Sequence, residues 1–327
     1  MKYDTPGQRE LPPIEHPRVA IETMIKQAIE SPAETTVLKK RGHPVWLWGQ
    51  LLASGSLWCV LHGWVSQLDL WRRISTFGVG NLPPVPVSDQ AVYKRLEQEG
   101  IQVMLAFCAQ ISDWLWGWLA PYEDRTLAPF AKEIYALDES IMDAIKRWLK
   151  ELRQVPVGDV SLLAGRLAGQ FDIRRQQWRR LDWLPEAAAN CQAYVRELLG
   201  SIAAGSWLLF DLGYYTFEWF DTLTARGIWW VARVRSKGSY SIEHVLLQRD
   251  GSFEALIFLG ADRADRTAYL MRLVQVRYGG VWYSYISNIT DPLQLSGAHI
   301  VQLYARRWDI ELGFRLLKDH LGFSRLT

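Results

Sequence analysis

Four residues near the C-terminus combine side-chain types and spacings that could cleave a phosphodiester. They follow the pattern Tyr-x2-Arg-x3-Glu-x6-Lys and are Tyr304, Arg307, Glu311 and Lys318. On a continuous helix at about 100° per residue, all four project within an arc of roughly 60°. A carboxylate can bind a hard metal ion, and flanking Arg and Lys side chains can bind phosphate oxygens. The pattern predicts one helix over residues 297–319 that carries this chemistry on one face.

An ordinary solvated helix face, stabilised by ion pairs four residues apart, is the alternative interpretation of the same charged row. Against it, the apolar side chains cluster beside the charged row, so that row borders the buried face of the helix. These apolar residues are Leu303, Ile310, Phe314 and Leu317. Asp309, the competing acid, projects to the far side. The site prediction therefore depends on acidic partners elsewhere in the chain.

Two upstream aspartates each close a short apolar run that has the character of a buried strand. Asp138 follows residues 134–137, and Asp211 follows residues 207–210. A carboxylate that is buried without a partner is costly, so such an acid requires a partner or a metal ion. Asp143 is a weaker candidate than Asp138. For both aspartates the alternative is an acid that only caps the turn after its strand.

The Tyr-Arg-Glu-Lys spacing resembles the YREK signature of IS4-family DDE transposases. The sequences Asp-Glu-Ser at Asp138 and Asp-Leu-Gly-Tyr at Asp211 are similar to the two aspartate motifs of that family. The resemblance implies that the catalytic and metal-binding residues are Asp138, Asp211 and Glu311, with one or two Mg²⁺ or Mn²⁺ ions. It also implies that phosphates near the transposon end are bound by Tyr304, Arg307 and Lys318.

The order of predicted elements describes an α/β chain, in which strands and helices alternate. The resemblance adds an RNase H-like mixed-sheet catalytic core, in which the first and fourth strands are neighbours and the last helix packs across them. Three acids that are far apart in sequence would then converge. The predicted strands lie at about 133–138, 160–172, 176–183, 207–211 and 228–235, and the predicted helices at about 187–204, 216–226 and 297–319.

Residues 236–296 interrupt this order with β-branched and aromatic runs joined by Asp-Gly and Gly-Gly turns, which predict hairpins. Members of the resembled family carry a β-rich insertion here, and some use an aromatic residue of it to stack on a flipped base. Trp282 and Tyr285 are candidates, and sheet packing is the alternative for either. The expected domains are a helical N-terminal DNA-binding region (1–125), a catalytic core (130–235 plus 297–327) and the β-rich insertion.

Local clusters of cations predict contact with DNA, although the formal net charge is only +2. Residues 222–241 contain no acid and include Arg233, Arg235 and Lys237. Residues 144–180 form a second cluster, in which cations outnumber acids. For any single one of these residues, a solvated surface charge is the alternative.

Residues 87–100 are the most specific feature of the N-terminal region. Ser88 is a suitable helix cap, and the segment resembles the recognition-helix region of related transposases. An ordinary capped surface helix is the alternative interpretation. The candidate DNA contacts are Gln90, Tyr93, Lys94 and Arg95. A linker is expected at residues 121–129.

The three cysteines and six histidines are not spaced like metal ligands or disulfide partners. This pattern is typical of proteins in a reducing compartment. The start of the chain is polar and has no signal peptide. The apolar stretch at residues 44–65 is interrupted by polar residues, so buried helices are expected instead of a membrane span. We therefore expect a cytoplasmic, prokaryotic protein without a membrane partner.

The resemblance implies a transposase that cleaves double-stranded DNA at terminal inverted repeats, transfers the strands into a target and acts as a homodimer. The chain ends nine residues after Lys318, where family members usually continue with further helices, so truncation is expected. A non-catalytic DNA-binding remnant and an RNase H-like nuclease without strand transfer are the alternatives.

Overall fold

The computed structural model describes residues 48–62, 66–79, 83–120, 123–141, 165–184, 191–235, 238–261 and 266–319. The chain divides into two compact units, and the boundary falls between Tyr122 and Glu123. Three of the features predicted above lie outside the described residues, namely Asp143, Lys237 and the cations of residues 144–164.

The described part of the N-terminal unit contains three α-helices, which are α1 (Trp48–Leu61), α2 (Gln67–Arg72) and α3 (Asp89–Leu119). Ser88 begins α3 as predicted, because its hydroxyl oxygen accepts the backbone N–H of Ala91. This bond satisfies one of the free donors at a helix start. Within the described ranges, no helix is long and apolar enough to cross a lipid bilayer.

The C-terminal unit is built on one nine-stranded sheet in the order β3-β2-β1-β4-β5-β9-β8-β7-β6. β1 pairs antiparallel with β2 and parallel with β4. The first and fourth strands are thus neighbours, which confirms the predicted RNase H-like mixed sheet. The first five strands are β1 (Ile134–Ile141), β2 (Arg166–Asp172), β3 (Gln177–Leu184), β4 (Trp207–Phe210) and β5 (Trp229–Arg233).

The segment predicted to form hairpins extends this sheet, because β9 pairs antiparallel with β5. Gly251, Gly279 and Gly280 have positive φ angles in the turns that join these hairpins, a conformation that glycine adopts without steric cost. The hairpin strands are β6 (Tyr240–Arg249), β7 (Ser252–Leu259), β8 (Met271–Tyr278) and β9 (Val281–Ser287). The hairpins and the core therefore share one continuous hydrogen-bonded ladder.

Helices cover both faces of the core strands. One face packs on α4 (Cys191–Leu198) and α5 (Phe217–Ala225), and the other on α6 (Gly297–Ala305) and α7 (Trp308–Asp319). Successive side chains of a strand alternate between the faces. In β1, Leu137 belongs to the apolar cluster that includes α4 and α5, whereas Ala136 belongs to the apolar cluster that includes α6 and α7. Each fully buried Leu or Phe contributes about 1.5–3 kcal/mol to folding.

The prediction of a single helix over residues 297–319 is wrong, because a turn at Arg306 and Arg307 separates α6 from α7. The backbone N–H groups of Arg306 and Arg307 reach back only three residues, to Leu303 and Tyr304. Bonds of this length tighten the last helical turn. Similarly, the described part of the helix predicted at 187–204 ends at Leu198 and continues as a short 3₁₀ turn.

Gly169 on β2 allows α7 to pack closely on the sheet. It lies opposite Asp138 in the β1–β2 register. A Cβ atom at this position would lie 2.4 Å from the Trp178 ring and 3.0 Å from the Phe314 ring. Trp178 and Phe314 themselves pack with ring centroids 4.7 Å apart. The absence of a side chain at Gly169 therefore leaves room for the aromatic contact between α7 and the sheet.

Candidate active site

Asp138 and Asp211 lie next to each other where the pairing between β1 and β4 ends; β1 itself continues to Ile141, beyond the strand end that the sequence predicted at Asp138. In the parallel β1–β4 register Leu137 is opposite Phe210, and each aspartate is the following residue. Neighbouring strands are about 4.8 Å apart. Because Ala136 contributes to the apolar cluster beneath α6 and α7, alternation directs Asp138 to that same face. Two acids separated by more than seventy positions in sequence thus meet at one edge of the core.

Asp138 is a half-buried carboxylate with two hydrogen-bond donors. Its Oδ1 accepts the backbone N–H of Glu139 at 2.8 Å, and its Oδ2 accepts Nη1 of Arg307 at 3.1 Å. Burial raises the pKa of Asp138 to about 6, although both donors oppose this shift; the negative charges of Asp211 and Glu311 raise the pKa further. The three acids are therefore close enough to interact electrostatically.

Asp211 begins a 3₁₀ turn, Leu212–Tyr214, directly after β4. Its Oδ1 accepts the backbone N–H of Gly213 at 2.7 Å. Arg235 lies over this turn, donating from Nη2 to the carbonyl of Leu212 at 3.2 Å. The turn thus holds one oxygen of Asp211 at the end of β4.

Arg307 connects Asp138 on β1 to Glu311 on α7. From the turn between α6 and α7, its Nη1 donates to Asp138 and its Nη2 donates to Glu311 on the first turn of α7. The Arg307 side chain is 9% exposed, whereas that of Glu311 is 31% exposed. One guanidinium group therefore lies between two acids from different elements. The angular prediction from a continuous helix failed, but Arg307 and Glu311 still face Asp138.

Tyr304 lies in α6 and is buried against Tyr285 of β9, with ring centroids 5.1 Å apart. Burial raises the pKa of the Tyr304 phenol to about 12, while the charges of Arg307 and Arg233 oppose this shift. Tyr285 is 8% exposed, but Trp282 is 49% exposed. Of the two aromatic residues considered for base stacking, only Trp282 presents a large exposed surface.

Two further predicted phosphate contacts, Lys318 and Arg233, lie at the C-terminal ends of β1 and β5. Lys318 donates from Nζ to the carbonyl of Ile141 at 2.9 Å, at the far end of β1. Arg233 is exposed at the end of β5, and its charge acts on the phenol of Tyr304. Lys237 lies outside the described residues.

Comparisons with known proteins match this part of the chain. A family model described as "Transposase DDE domain" matches residues 187–327. Residues 187–327 are therefore similar to the transposase DDE domain. Transposase InsG for insertion sequence element IS4, from Escherichia coli (strain K12), is 27% identical over 128 residues, which cover 36% of this chain and 28% of InsG. The resemblance to IS4-family DDE transposases is thereby confirmed.

The chain spans less than a third of the length of this curated relative. A solved structure titled as a piggyBac transposase synaptic complex with hairpin DNA is 10% identical, with a TM-score of 0.42, over 90% of this chain and 64% of the other. The DDE domain match includes Asp211, Tyr304 and Glu311, but Asp138 precedes it. Asp138 is thus placed beside the other acids by the sheet and not by the family match.

The candidate donors for a divalent metal ion at this site are carboxylates. Among the described residues, no three side chains of His, Cys, Asp or Glu form a group that could hold a metal ion. Mg²⁺, however, is commonly bound by one or two carboxylates together with water and substrate phosphates. Asp138 and Glu311 already share one cation, the guanidinium of Arg307. A pair of carboxylate oxygens that share a cation fits a hard divalent ion.

Sequence reasoning missed three residues on the opposite face of β1. Glu139 pairs with Arg166 of β2 and accepts a hydrogen bond from the hydroxyl of Tyr214 at 3.3 Å. Tyr214 belongs to the turn that Asp211 begins, so this contact ties the turn of one acid to the strand of the other. The signal was present, since Glu139 and Tyr214 both lie inside the two aspartate motifs.

In the N-terminal unit, three of the four predicted DNA contacts line an open cleft of about 770 Å³, namely Gln90, Tyr93 and Lys94. Arg95, the fourth, forms an ion pair with Glu99 one turn further along α3. These polar side chains of α3 are thus accessible to a ligand.

Proposed function

We propose that this chain is an insertion-sequence DNA transposase, which cleaves DNA strands at terminal inverted repeats and transfers them into a target by metal-dependent chemistry. The observation that carries the proposal is the link from Arg307 to both Asp138 and Glu311, with Asp211 beside them. In this proposal, acids from β1, β4 and α7 act together on one scissile phosphate. The match of residues 187–327 to a transposase DDE domain model supports the same chemistry.

In this proposal, Asp138, Asp211 and Glu311 bind one or two Mg²⁺ or Mn²⁺ ions. When bound, such ions lower the pKa of water and stabilise charge on phosphoryl oxygens. The three acids fix where the scissile phosphate lies, and no covalent protein nucleophile is required. Metal binding requires ionised Asp138, so its raised pKa of about 6 predicts that the apparent affinity for metal falls as pH decreases below this value.

Phosphate binding is assigned to the cations and the phenol around the acids. Tyr304, Arg307 and Lys318 would position phosphates near the transposon end, with Arg307 able to contact two oxygens at once. Arg233, Arg235 and Lys237 would follow the DNA backbone from the end of β5. Trp282, being exposed on the β8–β9 hairpin, is the better candidate to stack on an unpaired base.

The proposed partner is double-stranded DNA, both as transposon ends and as target, and two copies of the chain would hold the two ends together. The N-terminal helical region (1–125) would contribute DNA binding through α3, while the core (130–235 plus 297–327) and the hairpin segment (236–296) form the catalytic part. The site of action would be the bacterial nucleoid in the cytoplasm.

The test is incubation of the purified chain with DNA that carries the inverted repeats flanking its reading frame, with Mg²⁺ or Mn²⁺. We expect nicked and joined products. Asp138→Asn, Asp211→Asn and Glu311→Gln should each remove them. Asp309→Asn is the matched control, because Asp309 also lies on the first turn of α7 but pairs with Arg306 instead of Arg307.

Cleavage without joining would replace this proposal with an RNase H-like nuclease. DNA retention without any cleavage would replace it with a non-catalytic binding protein. If Asp309→Asn and Glu311→Gln reduced cleavage equally, Glu311 would have no specific role, and the site assigned here would be wrong.

A further inference from the structure

Arg307 is not available to a phosphate in this structure. Its two Nη atoms are divided between Asp138 and Glu311, and its side chain is 9% exposed. Arginine often contacts a single carboxylate with both nitrogens. Here the guanidinium instead joins carboxylates from a strand and a helix. Arg307 thus contacts both of the carboxylates that the proposed function assigns to a divalent ion.

Electrostatics makes Arg307 and a divalent ion competitors for the same oxygens. The attraction between charges grows with their product and falls with distance, and like charges repel by the same law. An ion of charge two at Asp138 Oδ2 would attract that carboxylate more strongly than a guanidinium does, and would repel a guanidinium 3.1 Å from this oxygen. Both cations cannot keep close contact with Asp138 and Glu311 together.

The surroundings of Arg307 provide a place for a displaced side chain. Arg307 belongs to the turn between α6 and α7, so its rotamer can change without breaking a helix interior. The ring of Trp308 lies 5.5 Å from its guanidinium carbon, and Trp308 is 58% exposed. An aromatic face near this distance attracts a cation. A short movement over Trp308 would carry the guanidinium from the acids to the surface.

We propose that Arg307 is an exchangeable counter-ion, which neutralises Asp138 and Glu311 until a divalent metal ion replaces it and thereby frees its guanidinium for a DNA phosphate. This inference rests on the proposed function, because it assigns the metal to the same acids. It adds an order of events: metal loading precedes productive contact between Arg307 and DNA. Before loading, the three acids outnumber this one cation and repel a phosphate.

Mn²⁺ binding to the full chain without DNA tests the exchange, with free Mn²⁺ measured by electron paramagnetic resonance. Arg307→Gln should tighten Mn²⁺ binding about tenfold, since a neighbouring opposite charge changes the proton affinity of a carboxylate by one to three pKa units. Arg306→Gln is the matched control from the same turn. Arg306 pairs with Asp309, so its loss should leave the Kd unchanged.

Arg307→Lys provides a second variant if Arg307→Gln does not fold, as judged by circular dichroism and thermal melting. Lysine lacks the planar fork that spans two carboxylates, so an intermediate Kd is expected. An unchanged or weaker Mn²⁺ Kd in a folded Arg307 variant, while the wild type binds Mn²⁺ and cleaves end DNA, overturns the exchange but not the transposase. A wild type that neither binds Mn²⁺ nor cleaves overturns both.

Discussion

Two successive residues of β1 each form an acid–arginine pair, one on each face of the strand. On one face, Asp138 contacts Arg307; on the other, the next residue, Glu139, contacts Arg166. The Glu139 and Arg166 side chains are 5% and 12% exposed and form a buried ion pair. On the face of Asp138, the guanidinium of Arg307 contacts two acids, Asp138 and Glu311, and the charge of a third acid, Asp211, acts on Asp138.

This difference shows that two similar acid–arginine pairs can serve different purposes, one for stability and the other for binding. A buried pair with matched charges ties strands together, and breaking it leaves a buried charge without a partner. A site with more acids than cations instead holds an unfavourable charge, which a metal ion could relieve. Burial is the main cause of the raised pKa of Asp138, and the negative charges of Asp211 and Glu311 raise the pKa further. The face of Glu139 is built for folding, and the face of Asp138 is suited to binding.

The largest expected effect separates the two faces by activity. Asp138→Asn should lower DNA cleavage about a thousandfold, as is usual when a group that stabilises transition-state charge is lost. This corresponds to about 4 kcal/mol in the barrier. Glu139→Gln, assayed well below its melting temperature, should retain cleavage within about tenfold, because it acts only through position. Equal losses in gel-based cleavage assays would erase the distinction between the faces.

The second effect separates them by stability. Glu139→Gln should lower the free energy of unfolding by about 3 kcal/mol, because a largely buried ion pair with Arg166 would be broken. Asp138→Asn should not show this loss, since Arg307 retains Glu311. Urea denaturation followed by circular dichroism measures both values. A larger loss for Asp138→Asn than for Glu139→Gln would contradict the structural role of the Glu139 face.

The third effect is a pH dependence confined to the face of Asp138. The folded state raises the pKa of Asp138 to about 6 from 3.8, so it binds a proton more tightly than the unfolded chain does. Stability should therefore fall as pH rises through this window, by about 2 kcal/mol between pH 4 and pH 7.

The difference in the free energy of unfolding between wild type and Asp138→Asn, measured in metal-free buffer, isolates this contribution from other titrating groups. Mn²⁺ at pH 7 should restore part of the lost stability in the wild type only. If the difference in the free energy of unfolding stayed constant with pH, folding would not raise the pKa of Asp138.

The smallest effect tests the link between the faces. Tyr214→Phe removes the hydroxyl that donates to Glu139 and should cost about 1 kcal/mol of stability. A domain of this size would melt about 2–4 °C lower. Since Tyr214 belongs to the turn of Asp211, Mn²⁺ binding should also weaken slightly. A melting temperature unchanged within error would mean that the hydrogen bond between Tyr214 and Glu139 does not contribute to stability.

Much of this arrangement could be predicted from the sequence, because apolar runs are a local signal of buried strands, although β1 continues three residues beyond Asp138. The apolar runs before Asp138 and Asp211 predicted strands, and β1 and β4 are indeed paired. The resemblance then supplied the neighbourhood of the first and fourth strands, which no local pattern contains. The Asp-Gly and Gly-Gly turns predicted the hairpins for the same local reason.

Other features depend on contacts between distant segments and left no signal in the chain. The break between α6 and α7 occurs at Arg306 and Arg307, where the sequence contains no Gly or Pro that would predict it. The pairing of β9 with β5 joins residues more than fifty positions apart. The division of Arg307 between Asp138 and Glu311 likewise depends on how α7 lies across β1, so spacing alone assigned this arginine only to phosphate.

Gly169 gives the site its width, although it carries no functional group. It faces Asp138 across the β1–β2 ladder, and any larger side chain would act as a spacer beneath Phe314 of α7. Such a spacer would lift the helix and take Glu311 away from the strand acids. The distance of Glu311 from the strand acids thus depends on β2, a strand that contributes none of the three acids. Substitutions at Gly169 would change the spacing between the carboxylates without altering their chemistry.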